Sequence, residues 1–247
     1  MNLGADDLLA ALGDRPGVRQ IDVVFTNPDV DTATVPETVW PLGGVAALRS
    51  TAAVLELVSS SAADAAAGTG ARTVQVWGLD SLYNELIEVV TLTGTTPVLT
   101  SGLFLRVNSV QVVSAGTGKS NAGNITIRDA SAGTTRSYIV ADQGRSEVGV
   151  FTVPAGHTML ATGWTISARD SVGNKALADI AFFTTVNGVR SVDWRMSIDG
   201  TIPANLGSPH VFHEKSDIEV ICTRVNTNDS YVSFHGHGLL IGPSTGF

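Results

Sequence analysis

The sequence predicts an all-β protein: a β-sandwich of jelly-roll-like kind, built as two β halves behind a short N-terminal helical and extended arm. Three observations carry this. From Val45 onward, short runs of alternating apolar and polar residues recur at about 8–12-residue intervals, the rhythm of sandwiches and barrels. Turn residues separate the runs, as in Gly94-Thr95-Thr96-Pro97, Pro154-Ala155-Gly156-His157 and Asn187-Gly188. Finally, 26 glycines in 247 residues with only 15 % charged residues exclude both a coiled coil and a charged disordered chain.

Residues 1–36 read as an arm. Asp6 to Leu12 has the pattern of a short amphipathic helix, with Asp6 and Asp7 at its positive end and Leu8, Leu9 and Leu12 on one face. Gly13 and Pro16 stop it. Ile21 to Phe25 is a strand, broken at Asn27-Pro28-Asp29, and Thr32 to Pro36 is an extended connector. So little local core predicts an arm that packs elsewhere. Two placements are expected: on the main body, or on a neighbouring subunit, where its strand could pair with an exposed sheet edge.

Residues 37–132 form the first expected β region. Val54 to Val58 is a strand, and Ser59 to Gly70 is read as a long loop despite its alanines, because no large apolar side chain anchors a face. Arg72 to Leu79 and Glu85 to Leu92 form a hairpin, followed by Val98 to Val107 with a bulge at Gly102. Val110 to Val113 and Ile125 to Ile127 flank a glycine-rich loop from Ala115 to Asn124.

Residues 133–247 form the second. Its strands are Ser137–Ala141, Gly149–Val153, Thr158–Arg169, Lys175–Val186, Val192–Ile198, Ile218–Val225 and Tyr231–Ile241. Asn187-Gly188 is the strongest hairpin signal, since a type I′ turn needs positive φ at both central residues.

The charge balance is acidic. Fifteen basic residues, of which only Lys119, Lys175 and Lys215 are lysines, face 23 acids, for a net charge of −8. Such a chain has no basic surface to release counterions from a phosphate backbone, so no nucleic-acid partner is expected. No run reaches the ~18–20 apolar residues of a membrane span. Met1 to Asp7 lacks the basic start of a secretory signal, so a chain that begins in a cytoplasm is expected.

Chemistry-bearing motifs are few. Gly118-Lys119-Ser120 resembles the end of a phosphate-binding loop, but Val113 stands where that motif needs glycine, and a strand follows where it needs a helix. His210-Val211-Phe212-His213-Glu214 and His235-Gly236-His237 are the metal-ligand candidates, His235 and His237 foremost because i and i+2 side chains on a strand share a face. A cupin-like site would want a following Glu, and Leu239-Leu240-Ile241 offers none, so neither metal nor cofactor is expected. Cys222 is read as a small buried thiol. Asp193, Asp199, Glu214 and Asp217 near strand ends are read as solvated charges, and Trp40, Trp77, Trp164 and Trp194 as core fillers. No catalytic residues are expected.

The stretch Val39-Trp40-Pro41-Leu42-Gly43-Gly44, then Ser59 to Val74, Val76 to Glu85, Glu88 to Val98 and Leu103 to Asn108 resembles virion proteins of tailed bacteriophages. Phe212 to Val220 followed by Asn226-Thr227-Asn228 resembles their closing strands. The resemblance implies a structural particle component, on the capsid as a decoration or cement protein or at the neck or tail. It also implies a homo-oligomer, with a trimer favoured, contacting the major capsid protein or neck and tail proteins. A receptor- or carbohydrate-binding module is the alternative, and would need an exposed cleft of Trp, Asp and Asn residues. A metal-dependent jelly-roll enzyme using His235 and His237 comes third.

Overall fold

The computed structural model describes residues 17–243, and each regular element among them is a β-strand. In chain order these are β1 (Val18–Val30), β2 (Glu37–Thr38), β3 (Leu55–Ser59), β4 (Ala71–Leu79), β5 (Glu85–Thr91), β6 (Val98–Leu99), β7 (Arg106–Ala115) and β8 (Ile125–Asp129). They continue as β9 (Thr135–Ile139), β10 (Val150–Thr152), β11 (Thr158–Arg169), β12 (Leu177–Val186), β13 (Val189–Asp199), β14 (Thr201–Phe212), β15 (Asp217–Val225) and β16 (Ser230–Ile241). The helix expected over residues 6–12 lies outside the described residues.

The chain folds as two compact units, Met1–Val39 with Phe151–Phe247, and Trp40–Val150. The second is thus an insertion in the sequence of the first. This differs from the division expected at residues 36 and 132. Residue 132 lies in the hairpin between β8 and β9, which are paired neighbours of one sheet, so no boundary can fall there.

The first unit holds two antiparallel sheets, β1-β16-β11-β14 and β10-β15-β12-β13, with β2 added beside β15. Leaving out β2, its eight strands fall into the two sheets in the order of a jelly roll, two interleaved Greek keys, with only β12 and β13 consecutive within one sheet. Rings from both sheets meet between them. Phe182 of β12 lies 5.7 Å from both Phe234 of β16 and Phe212 of β14, and Trp164 of β11 stacks on Trp194 of β13 at 5.3 Å. Alternation along β16 explains this: Val232, Phe234 and Leu240 are buried, whereas His235 is exposed. Each buried aromatic ring contributes on the order of 2–3 kcal/mol of transfer free energy.

Of the two placements expected for the arm strand, the structure shows the main body and not the edge of a neighbouring subunit. β1 pairs with β16 of its own chain from Val18↔Ile241 to Val30↔Ser230, with a bulge at Asn27 rather than a break. Ile21, Val23, Phe25 and Val30 are buried, Phe25 lying 5.7 Å from Phe234. An apolar strand with a paired neighbour and a core beneath it has no reason to seek a foreign edge.

The second unit sets sheet β6-β3-β8-β9 and sheet β5-β4-β7 around Leu55, Leu57, Val74, Val76, Phe104, Val110, Ile125, Ile127 and Ile139. The long strand expected over 98–107 is divided. β6 ends at Leu99, because Thr100 turns its hydroxyl onto the backbone N–H of Leu55, and the chain rejoins a sheet only at Arg106. Strand β14 was not anticipated at all: Pro203, Gly207 and Pro209 punctuate its sequence. It is an edge strand, where proline's missing N–H is tolerated, and its register against β11 jumps between His210 and Asn205.

Candidate functional site

The glycine-rich loop spends its amides on the protein. Gly116 N–H donates to Gly70 O at 2.8 Å and Gly118 N–H to Thr69 O at 2.7 Å. Beneath it lies the fully buried carboxylate of Asp64. Its Oδ1 accepts from the N–H groups of Ala71 and Ala122, and its Oδ2 from Gly123 N–H and the Ser59 hydroxyl, at 2.6–2.9 Å. A loop already filled by a carboxylate of its own chain leaves no nest for a phosphate, so the Gly118-Lys119-Ser120 resemblance has no structural counterpart.

His235 and His237 stand on the outer face of β16, their ring centroids 6.4 Å apart. His235 Nε2 lies 3.6 Å from Asp22 Oδ1 on β1, and both side chains are substantially exposed. Strand alternation aims this pair away from the space between the sheets. Among the described residues, the carboxylates of Asp29, Asp31 and Asp229 are the one group of three potential ligands with donor atoms within 4.8 Å of one another, and it excludes both histidines. Desolvation, then the charges of Asp31 and Asp229, holds the Asp29 carboxyl above its ordinary range.

The other acids divide by environment. Asp199 is exposed, as expected. Asp217 is not: it is buried and accepts the Thr152 hydroxyl at 2.6 Å. Asp193, with a side chain 19 % exposed, accepts the Thr184 hydroxyl and lies 3.9 Å from His210 Nε2. Only Asp217 departs from the solvated role expected of it, because a sequence does not show which neighbouring strand supplies a hydroxyl. Glu214 caps the turn at Gly156 N–H. Cys222 is fully buried, and burial pushes its thiol up to about 12, so it is held as an inert thiol at neutral pH.

None of the four tryptophans is exposed. Trp40 is buried, Trp77 is half-buried with its N–H on Glu85, and Trp164 and Trp194 belong to the aromatic layer of the jelly roll. The gap beside that layer, walled by Phe182, Phe212, Phe234 and Met159, amounts to about 30 Å³. Small-molecule sites occupy roughly 300–1,000 Å³. A sugar ring finds neither a platform nor a cleft there.

What the surface does offer is apolar area on edge strands, β5 and β13 among them. In the second unit, edge strand β5 exposes Ile87 and Val89, each 56 % accessible, on the face that Trp77 shares. In the first unit, edge strand β13 exposes Val189 at 71 % and Val192 at 41 %. The sequence signal for both was present: apolar residues at strand positions where alternation would have put polar ones.

No family model matches the chain, and no curated protein matches it. Among solved structures, the VP2 subviral particle of infectious bursal disease virus aligns at 10 % identity over 98 % of this chain and 78 % of that chain, with a TM-score of 0.21. The Gt strain of the same virus aligns at 11 % identity over 92 % of this chain and 71 % of that chain, with a TM-score of 0.23. These weak structural neighbours are viral capsid proteins.

Proposed function

We propose that the chain is a non-enzymatic structural component of a tailed-phage virion. It assembles as a homo-oligomer, a trimer being favoured, on the capsid or at the neck or tail, and stabilises or decorates the particle through contacts with the major capsid protein or with neck and tail proteins. The observation that carries this reading is the jelly-roll strand order of the first unit. That architecture serves capsid domains, lectins and cupins, and architecture by itself does not choose among them. The residues favour the particle reading. A cupin would bring metal ligands together between its sheets, whereas His235 and His237 face outward. A lectin would present an aromatic platform, whereas none of the four tryptophans is exposed. Exposed apolar strand edges, few lysines and a glycine- and threonine-rich surface suit a subunit covered by other subunits. The resemblance of residues 38–130 and 212–228 to tailed-phage virion proteins points the same way and supplies the phage assignment.

The test is electron microscopy of purified particles carrying a label on this chain, with light scattering of the isolated protein. Label repeating regularly on the particle, together with an oligomeric mass in solution, is the expected result. Particles without label, or a protein that turns over a small substrate, would overturn the reading.

A further inference from the structure

Strand β13 pairs with β12 on one side only, so its other edge presents unpaired backbone groups. Its first half is bulged, since Val192 opposes Phe183 while Trp194 opposes Phe182. The second half is regular, running from Arg195↔Ala181 to Asp199↔Leu177 without a shift. Alternation there is clean. Arg195, Ser197 and Asp199 are exposed on the outward face, while Met196 is half-buried and Ile198 is buried on the inward face. The Ser197 hydroxyl donates to Asp179 of β12, which fixes the face. Among the described residues, neither the Arg195 guanidinium nor the Asp199 carboxylate has a side-chain partner.

We propose that Arg195-Met196-Ser197-Ile198-Asp199 pairs antiparallel with the same segment of a second copy of this chain, about a two-fold axis through Ser197. In that register Arg195 faces the second copy's Asp199, Met196 faces its Ile198, and Ser197 faces its Ser197. The symmetry then repeats the first two pairs in reverse. Opposite charges meet on the outward face and apolar side chains on the inward one. A slip of one residue would set charged side chains against the inward face. A slip of two would leave Arg195 opposite Ser197 or Thr201, with its charge unmatched. Charges on an edge strand ordinarily guard against such pairing; here their four-residue spacing makes the edge complementary to itself. The contact is isologous, and it is compatible with a separate three-fold contact in a closed assembly. It needs only two copies of the chain, and so stands apart from the virion reading.

Sedimentation velocity on the full chain tests it, comparing the wild type with Arg195→Asp, Asp199→Arg and the double charge swap. Each single change sets like charges opposite each other twice, and should weaken the two-fold association by roughly tenfold, from about 0.2–1 kcal/mol per cross-strand pair. The double swap should restore it, and added salt should weaken the wild type as it screens the exposed pairs. As a measurement that does not depend on affinity, Ser197→Cys should form a disulfide-linked dimer under mild oxidation. Val189→Cys, on the same strand but outside the paired segment, should not, and the buried Cys222 stays silent in both. Single variants that associate like the wild type, a double swap that stays dissociated, or a Ser197→Cys chain that does not cross-link would each overturn the pairing.

Discussion

The carboxylate of Asp64 accepts the backbone N–H of Ala122 at 2.8 Å, across 58 residues of chain. Around this bond the alanine-rich loop and the glycine-rich loop of the second unit become one structure. Asp64 takes further bonds from Ala71, Gly123 and Ser59, and its backbone carbonyl accepts the N–H of Gly94. A buried carboxylate is expensive unless each lone pair is used, and here four donors meet it. The loops therefore hold without a hydrophobic anchor of their own.

Replacing Asp64 by Asn should be costly for that reason. An amide offers one acceptor oxygen where two are used, and turns its own N–H groups toward donors. The expected loss is about 3 kcal/mol, from one or two unsatisfied buried groups and the lost charge-assisted bonds. Chemical denaturation of Asp64→Asn against the wild type checks it, and a loss under about 1 kcal/mol would show that the network contributes little.

Deleting residues 1–36 should unfold the first unit rather than release an arm. The deletion removes strand β1, exposes the edge of β16 and takes Ile21, Val23, Phe25 and Val30 out of the core. Phe25→Ala is the milder form of the same test, with an expected cost of about 3–5 kcal/mol. Near-ultraviolet circular dichroism that remained native after the deletion would contradict this placement of β1.

Asp129 gives a pH dependence. Hydrogen bonds from Arg136, and after them from Arg49, hold its carboxyl below the ordinary range. The same arginines pin the irregular segment before β3, through Arg136 to Ala47 O and Arg49 to Ala53 O and Val54 O. Because the folded value is lowered, the contribution is present above the unfolded value of about 3.9 and is lost as pH falls through the folded one. The wild type should exceed Asp129→Asn in stability at pH 7, and the gap should close below about pH 4. A gap that stayed constant between pH 7 and pH 3 would rule out this carboxylate as its source.

The sequence by itself determined the class of the fold and most of its strands. Alternation placed Arg72–Leu79, Thr158–Arg169 and Tyr231–Ile241 within a residue or so of β4, β11 and β16. Asn187-Gly188 named its own turn, and both residues do take positive φ, between Val186 and Val189. These are local matters, set by side-chain period and by which backbone angles a residue tolerates. Only the tertiary structure decided which strands became neighbours. β1 lies beside β16, 200 residues on, because its apolar face completes an aromatic core that no local pattern announces. β14 forms although Pro203 and Pro209 argue against a strand, because an edge asks for hydrogen bonds on one side only. Asp64, Asp193 and Asp217 read alike as polar loop or strand-end residues. The burial of Asp64 and Asp217, and the partners of all three, depend on segments brought together in space, whose identity a sequence read in one dimension does not hold.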